Sequence, residues 1–394
     1  MSDDLDDAFD ALVAALGEAA ASVRAHPFFA DDENRVSAYR FVLSMLIARL
    51  EEDVIFDPDF PSLRSVDTRI REAGDNPDQR YWTTRIRGGE TYRVWGRRGT
   101  ARRVDVQVYA GLPAQAGSGR SVGFLAFEDL QIDADGSFEV IVSPDRRAGN
   151  WIDCPTDASR LFVRQVFSDW DNELPGEVHI DRVGSEGEPK PSVTDADMAE
   201  RLRAASAHLV ARVDFWPEMV RQQYLEIGPN QLSPLYDPGA LGGVHGRLMS
   251  HGTFDLADDE ALVVRLWPGS GNYLGIQLGD LWFSSLEYAN RQTSLSTDQA
   301  VPATDGSYRF VICGTDPGLP NWLDTTGLRR GYILIRYDGE NGVIPDDAHQ
   351  PTTQVVPVQL LRSVLPDDSP TVGVEARRRA LAARRRHVQR RFGT

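Results

Sequence analysis

The period of the apolar positions changes along the chain, and the changes divide it. Over residues 2–25, Leu5, Phe9, Leu12, Leu16 and Val23 recur near helical spacing. Val36, Tyr39, Leu43, Leu46, Ile47 and Leu50 form a wide apolar stripe over 34–52. Both segments predict amphipathic helices. From about residue 80 the period falls to two. "TYRVWG", "RRVDVQVYAG", "GFLAFEDLQID", "DGSFEVIVS" and "RLFVRQVF" read as short strands, spaced as in an antiparallel sandwich or jelly roll. Residues 193–227 return to the helical period through Met198, Leu202, Leu209 and Val213, with Thr194 and Asp197 as a capping box. Pro217 predicts a break or kink near Trp216. Strands resume at "ALVVRLWPG" and last to "YILIRY" at 337. The expected organisation is a helical region over 1–78, a first β unit over 79–192, a helical connector over 193–250, a second β unit over 251–340, and a surface segment with a basic helix over 341–394. The fold class is mainly β with helical additions (α+β), built from two related antiparallel β-sandwich or jelly-roll units.

The two β regions can be laid over each other. Arg93 and Trp95 match Arg265 and Trp267, "DGSFEVIV" matches "DGSYRFVI", and "NWID" at Asn150 matches "NWLD" at Asn321. Arg164 and Arg336 close the series. Anchors dispersed in a constant order predict an internal repeat. A catalytic set is rarely needed twice, whereas a scaffold is needed wherever the fold recurs. Trp151 and Trp322 are therefore expected to plug sandwich ends, with the indole N–H on a loop carbonyl. Asn150 and Asn321 are expected to hold turns through side-chain-to-backbone bonds. Arg164 and Arg336 are expected to pair with Asp153 and Asp324. The alternative gives Asn321, Trp322, Asp324 and Arg336 to a ligand.

The order of these residues resembles the DUF1214 family, often found beside DUF1254. The likeness rests on "LGIQLGDLWFSSLEYANRQTSLS", "DGSYRFVI", "DPGLPNWLD" and "ILIRY", with "DNPDQRYWTTRIRGGETYRVWGRRGTARRVDVQVYAG" upstream. It covers about two thirds of the chain. It implies β-sandwich or jelly-roll units with helical additions, and it carries no catalytic residue that transfers to this chain.

Charge and chemistry narrow the function classes. The 394 residues carry a formal net charge of −17, which argues against general DNA binding, because phosphate neutralisation needs a basic face. Lys190 is the only lysine. The acidic opening "MSDDLDDAFD" is the opposite of a signal peptide's start. No apolar run approaches the ~20 residues of a membrane span, so a cytoplasmic protein without a transmembrane segment is expected. The stretch 277–291, "QLGDLWFSSLEYANR", has no close counterpart in the first repeat. There Gln277, Trp282, Tyr288, Asn290 and Arg291 could bind a ligand, and Glu287 could serve as acid or base if burial raised its pKa. His245, His251 and Asp255 match no metal-ligand spacing, so no metal and no cofactor are expected. The expected function is binding of a small hydroxylated or partly apolar molecule, sugar-like or lipid-like, with hydrolase or lyase chemistry as an extension. The alternative is a non-catalytic interaction protein that docks an acidic protein or anionic surface through its Arg-rich C-terminal helix.

Overall fold

The computed structural model describes residues 2–111, 119–241, 243–244, 246–340 and 343–394. Its contacts divide the chain into two compact units. The first contains Met1–Glu72, Arg80–Gln165 and Pro175–Trp216, and the second contains Ala73–Gln79, Val166–Leu174 and Pro217–Thr394.

In chain order the elements are α1 (Ser2–Ala25), α2 (Asp32–Arg49), β1 (Arg64–Val66), β2 (Gln79–Arg85), β3 (Tyr92–Gly99), β4 (Arg103–Ala110), β5 (Arg120–Leu125), β6 (Ser137–Ser143), β7 (Trp151–Asp153), β8 (Ala158–Val166), β9 (Pro175–Arg182) and α3 (Asp195–Met219). Then come β10 (Leu248–Asp255), β11 (Glu260–Leu266), β12 (Tyr273–Gly279), β13 (Ser294–Ser296), β14 (Tyr308–Cys313), β15 (Trp322–Asp324), β16 (Arg330–Asp338), β17 (Thr352–Pro357), α4 (Leu361–Val364) and α5 (Val374–Phe392).

Four mostly antiparallel sheets carry the fold, so the mainly β, α+β class holds. The first unit has the orders β1-β2-β8-β4-β5 and β7-β6-β3-β9. The second has β10-β16-β12-β13 and β15-β14-β11-β17. Leave out β1, and the two units have the same strand order, down to one parallel pair in each, β6 with β7 and β14 with β15.

Alternation builds each core. In β4 the valines at 104, 106 and 108 face inward with Leu161 and Val163 of β8 and Val140 of β6. In the second unit Leu262, Val264, Leu274, Ile276, Ile333 and Ile335 do the same. The repeated anchors make repeated turns. Gly136 and Gly306 both have φ +82°, and Asp135 and Asp305 each accept the N–H of the following serine at 3.0 Å. Asn150 clamps Gln131 through both backbone groups at 2.8 Å, and Asn321 clamps Val301 likewise at 2.8 and 2.7 Å. The Trp151 and Trp322 indoles donate to the carbonyls of Asp145 and Cys313, each at 2.9 Å.

The helices depart from the expectation in two ways. Pro217 lies within α3, and the helix runs through it into a wider turn at Val220–Tyr224. In α2 the buried face is Ala38, Phe41, Val42, Met45 and Ala48, so the stripe of Val36, Tyr39, Leu43 and Ile47 is exposed. Small residues allow the closer approach. Ala8 and Leu12 of α1 pack with Ala199, Leu202 and Ala205 of α3, and Leu46 and Leu50 of the expected stripe lie against that cluster.

Candidate functional site

The residues expected at the second unit's site are largely built into its interior. Trp282 and Tyr288 are fully buried, so their rings pack within the unit. Glu287 is half-buried. Its carboxylate accepts the N–H groups of Ala289 and Asn290 at 3.0 Å and the Asn290 amide at 3.2 Å, as a turn-holding side chain does. Asn290 and Arg291 are exposed, and Arg291 reaches Asp324 at 3.0 Å. Asn321 holds the Val301 turn, and Trp322 belongs to a core cluster with Val263, Val311 and Leu361. His245 lies outside the described residues; His251 is half-buried against Tyr224 and Tyr236. Among the described residues no group of acids, histidines and cysteines could hold a metal.

Helix α5 covers part of this region. It was expected as a basic helix in a surface segment, yet Arg377, Arg384, His387 and Arg391 are buried. Arg384 donates to the Tyr288 and Ser294 carbonyls at 3.2 and 3.0 Å, and Arg377 donates to Gln292 at 2.7 Å. The guanidinium of Arg384 sits 4.3 Å from the Trp170 ring, and that of Arg391 sits 4.5 Å from it. His387 stacks on Trp170, and burial with the nearby Arg391 pushes its imidazole down to about 2. Arg378, Arg379, Arg385, Arg386 and Arg390 remain exposed on the other side of the helix.

The late arginines of the repeat correct the expected ion pairs. Arg164 donates to Gln107 at 2.7 Å and to the Tyr109 hydroxyl at 3.1 Å. Arg336 donates to Gln277 and to the Gly74 carbonyl. Among the described residues neither makes an ion pair. Both sit on a strand face that points away from the apolar core, where the register of the sheet offers Gln rather than Asp. An Arg–Gln pair, not an Arg–Asp pair, is therefore the repeated unit.

Its two copies have different surroundings. In the second unit, Gln277 also bonds the Asp75 carbonyl and the Tyr332 hydroxyl, at 2.7 and 3.2 Å. Tyr332 lies over Gly279, where a Cβ would meet its ring at 2.0 Å. The Phe283 ring covers Gly74, whose φ of +63° and lack of room for a Cβ both require glycine. Phe283 itself is held at φ +64°, an unusual conformation for a bulky residue. This copy is closed by its own chain. In the first unit the position two residues after the glutamine is Tyr109 instead of Gly279, and the position four before the arginine is Arg160 instead of Tyr332. Arg164 is 7% exposed, with its guanidinium 5.0 Å from the Phe162 ring, 5.9 Å from Tyr81 and 6.0 Å from Tyr109. Those three rings are only half-buried. Gln107 is fixed from the far side by Ser121, to which it donates at 2.9 Å.

On the same sheet a charged network continues toward the helices. After α2 the helix widens into a π turn at Leu50–Ile55, where the Phe56 N–H bonds the Glu51 carbonyl at 2.9 Å. The turn sinks Glu52 and Asp53 to 1% and 2% exposure. Glu52 meets Arg160, Arg49 at 2.9 Å and Arg64 at 3.2 Å, and Arg64 also bonds Glu72. Asp53 meets Arg85 and His208, each at 3.1 Å. Sequence reading missed Gln107, Tyr109, Phe162 and this network. The one available signal was the side of β4 and β8 that alternates with the apolar core, Arg103, Asp105, Gln107 and Tyr109 in one strand and Arg160, Phe162 and Arg164 in the other.

No protein-family model matches the chain, and no curated protein matches it in sequence. The fold is similar to that of an uncharacterised protein from Burkholderia cenocepacia, with 28% sequence identity and a TM-score of 0.81, over 91% of this chain and 98% of that one. A protein from Vibrio parahaemolyticus matches over 81% of this chain and 98% of its own, at 12% identity and a TM-score of 0.45. Among the described residues no helix is long and apolar enough to cross a membrane.

Proposed function

We propose that the protein binds a small organic acid on the first unit's sheet, with the carboxylate on Arg164 and the body of the ligand against Tyr81, Tyr109 and Phe162. The observation that carries this reading is the inequality of the two Arg–Gln pairs. One is closed by Gly74, Tyr332 and Phe283 of its own unit. In the other, Arg164 has only neutral hydrogen-bond partners among the described residues, beside a rim of half-buried aromatic residues. A guanidinium taken from water without a counter-charge is costly, and a planar carboxylate matches its donor fork. Tyrosine and phenylalanine walls suit a flat or apolar body, and the Tyr109 and Ser121 hydroxyls suit hydroxyl groups on it. The ligand class thus stays that of a hydroxylated or partly apolar molecule. The reading rests on residues 81–164 and leaves Glu287 as the holder of its own turn. The DUF1214 resemblance belongs with this proposal and rests on the motifs of the second unit and on the upstream stretch 75–111.

The test is a thermal-shift screen of the full chain against carboxylic acids and their matched amides. Acids of one structural class are expected to raise the melting temperature, their amides are not, and Arg164→Gln is expected to remove the response. Acids and amides that act alike, or a response that survives Arg164→Gln, would overturn the reading.

A further inference from the structure

The charged network beneath the π turn balances except at one residue. Arg49, Arg64, Arg85 and Arg160 face Glu51, Glu52, Asp53 and Glu72 through contacts of at most 3.7 Å. Arg212 of α3 is additional. It is 2% exposed, and its Nε and Nη2 have no hydrogen-bond partner among the described residues. It makes no ion pair there either; its nearest charged-aromatic contact is the Trp216 ring at 6.0 Å. Its place in the network follows from the helix. His208 lies four residues earlier on the same face and bonds Asp53, which in turn lies 3.7 Å from Arg49. Arg49 and Arg160 both approach the same Glu52 oxygen, and Nε of each is buried without a hydrogen bond. Nε and Nη2 of Arg212 and Nε of Arg49 and Arg160 are thus buried donors without a hydrogen-bonded acceptor among the described residues.

We propose that a small inorganic monovalent anion, chloride in ordinary salt, is bound inside the first unit at Arg212, beside Arg49 and Arg160. Water would satisfy the free donors but leave the surplus charge in a low-dielectric interior, where its cost is largest. One negative charge restores the balance, and a monatomic ion accepts from several N–H groups at once without a preferred geometry. Burial, and then the charges of Arg49 and Arg160, depress the Arg212 guanidinium to about 9 against the opposite pull of Glu72 and Glu52. Phe162 adjoins both this site and the organic-acid site, its ring 5.3 Å from the Arg160 guanidinium and 5.0 Å from that of Arg164.

The experiment compares melting of the full chain in sodium chloride and in sodium methanesulfonate at matched ionic strength, since methanesulfonate is larger than chloride and is not a carboxylate. The wild type is expected to melt higher as chloride rises and to show no such rise in methanesulfonate. Arg212→Met, which removes the surplus charge and keeps an apolar stem, is expected to melt cooperatively with no chloride dependence. Arg164→Gln is expected to keep that dependence, which separates this site from the other. Equal melting of the wild type in the two salts, or a chloride dependence undiminished in Arg212→Met, overturns the proposal.

Discussion

Glu52 joins burial, charge and backbone irregularity at one residue. Burial alone would raise its carboxyl, but Arg160, Arg49 and Arg64 outweigh burial and hold it well below the usual 4.5. The sign of the linkage follows. A carboxyl depressed on folding stabilises the protein fully above its unfolded value and loses that contribution as pH falls through its folded value. The first unit is therefore expected to lose stability on acidification below about 4.5. Glu52→Gln should flatten that acid dependence while costing about 3–5 kcal/mol at neutral pH, because it leaves buried guanidinium groups unpaired. Thermal melts from neutral to acidic pH measure both effects; a parallel acid profile in wild type and variant would count against this role. What a sequence discloses at this scale depends on whether the partner is backbone or a particular side chain. Asn150 and Asn321 bond backbone groups 19 and 20 residues away, and residue type at a repeated anchor was enough to foretell a side-chain-to-backbone role. Arg164 and Arg336 find partners on another strand. The Asp153 and Asp324 carboxylates, close in sequence to no better candidate, were the wrong partners because strand register decides the contact.

At the scale of elements, α5 shows why counting apolar residues misleads. Its apolar stripe is thin, yet Arg377, Arg384, His387 and Arg391 are buried through hydrogen bonds to carbonyls and through the faces of Trp170 and Phe167. Deletion of residues 374–394 would leave Trp170 uncovered and buried acceptors of the 288–294 loop without donors. Each lost bond to a charged donor costs about 1.5–3 kcal/mol. The truncated chain is thus expected to lose the cooperative melt of the second unit, as followed by calorimetry, and an unchanged transition would refute the docking. Helix positions themselves were legible from the 3.6-residue period. The buried face of α2 was not, because alanine and methionine at close-packed positions outcompete a wider Val, Tyr, Leu and Ile stripe. The π turn after α2 was also hidden, since no residue type demands it.

For the whole molecule, duplication is the organising fact. The order of anchors in the sequence foretold two units, and the strand orders agree once β1 is set aside. Duplication also bears on the candidate site. The stretch without a counterpart, 277–291, helps to close the second unit on itself. The first unit keeps the shared Arg–Gln pair and leaves its aromatic rim half-exposed, a difference carried by Tyr109 in place of Gly279 and Arg160 in place of Tyr332. The central claim is that only this copy takes a ligand. Isothermal titration of one responding organic acid into wild type, Arg164→Gln and Arg336→Gln tests it directly. Loss of a charged hydrogen bond is worth about 1.5–3 kcal/mol, so Arg164→Gln should weaken binding roughly ten- to a hundredfold. Arg336→Gln should leave the affinity at the wild-type value. Equal weakening by both variants, or weakening by Arg336→Gln alone, would contradict the account.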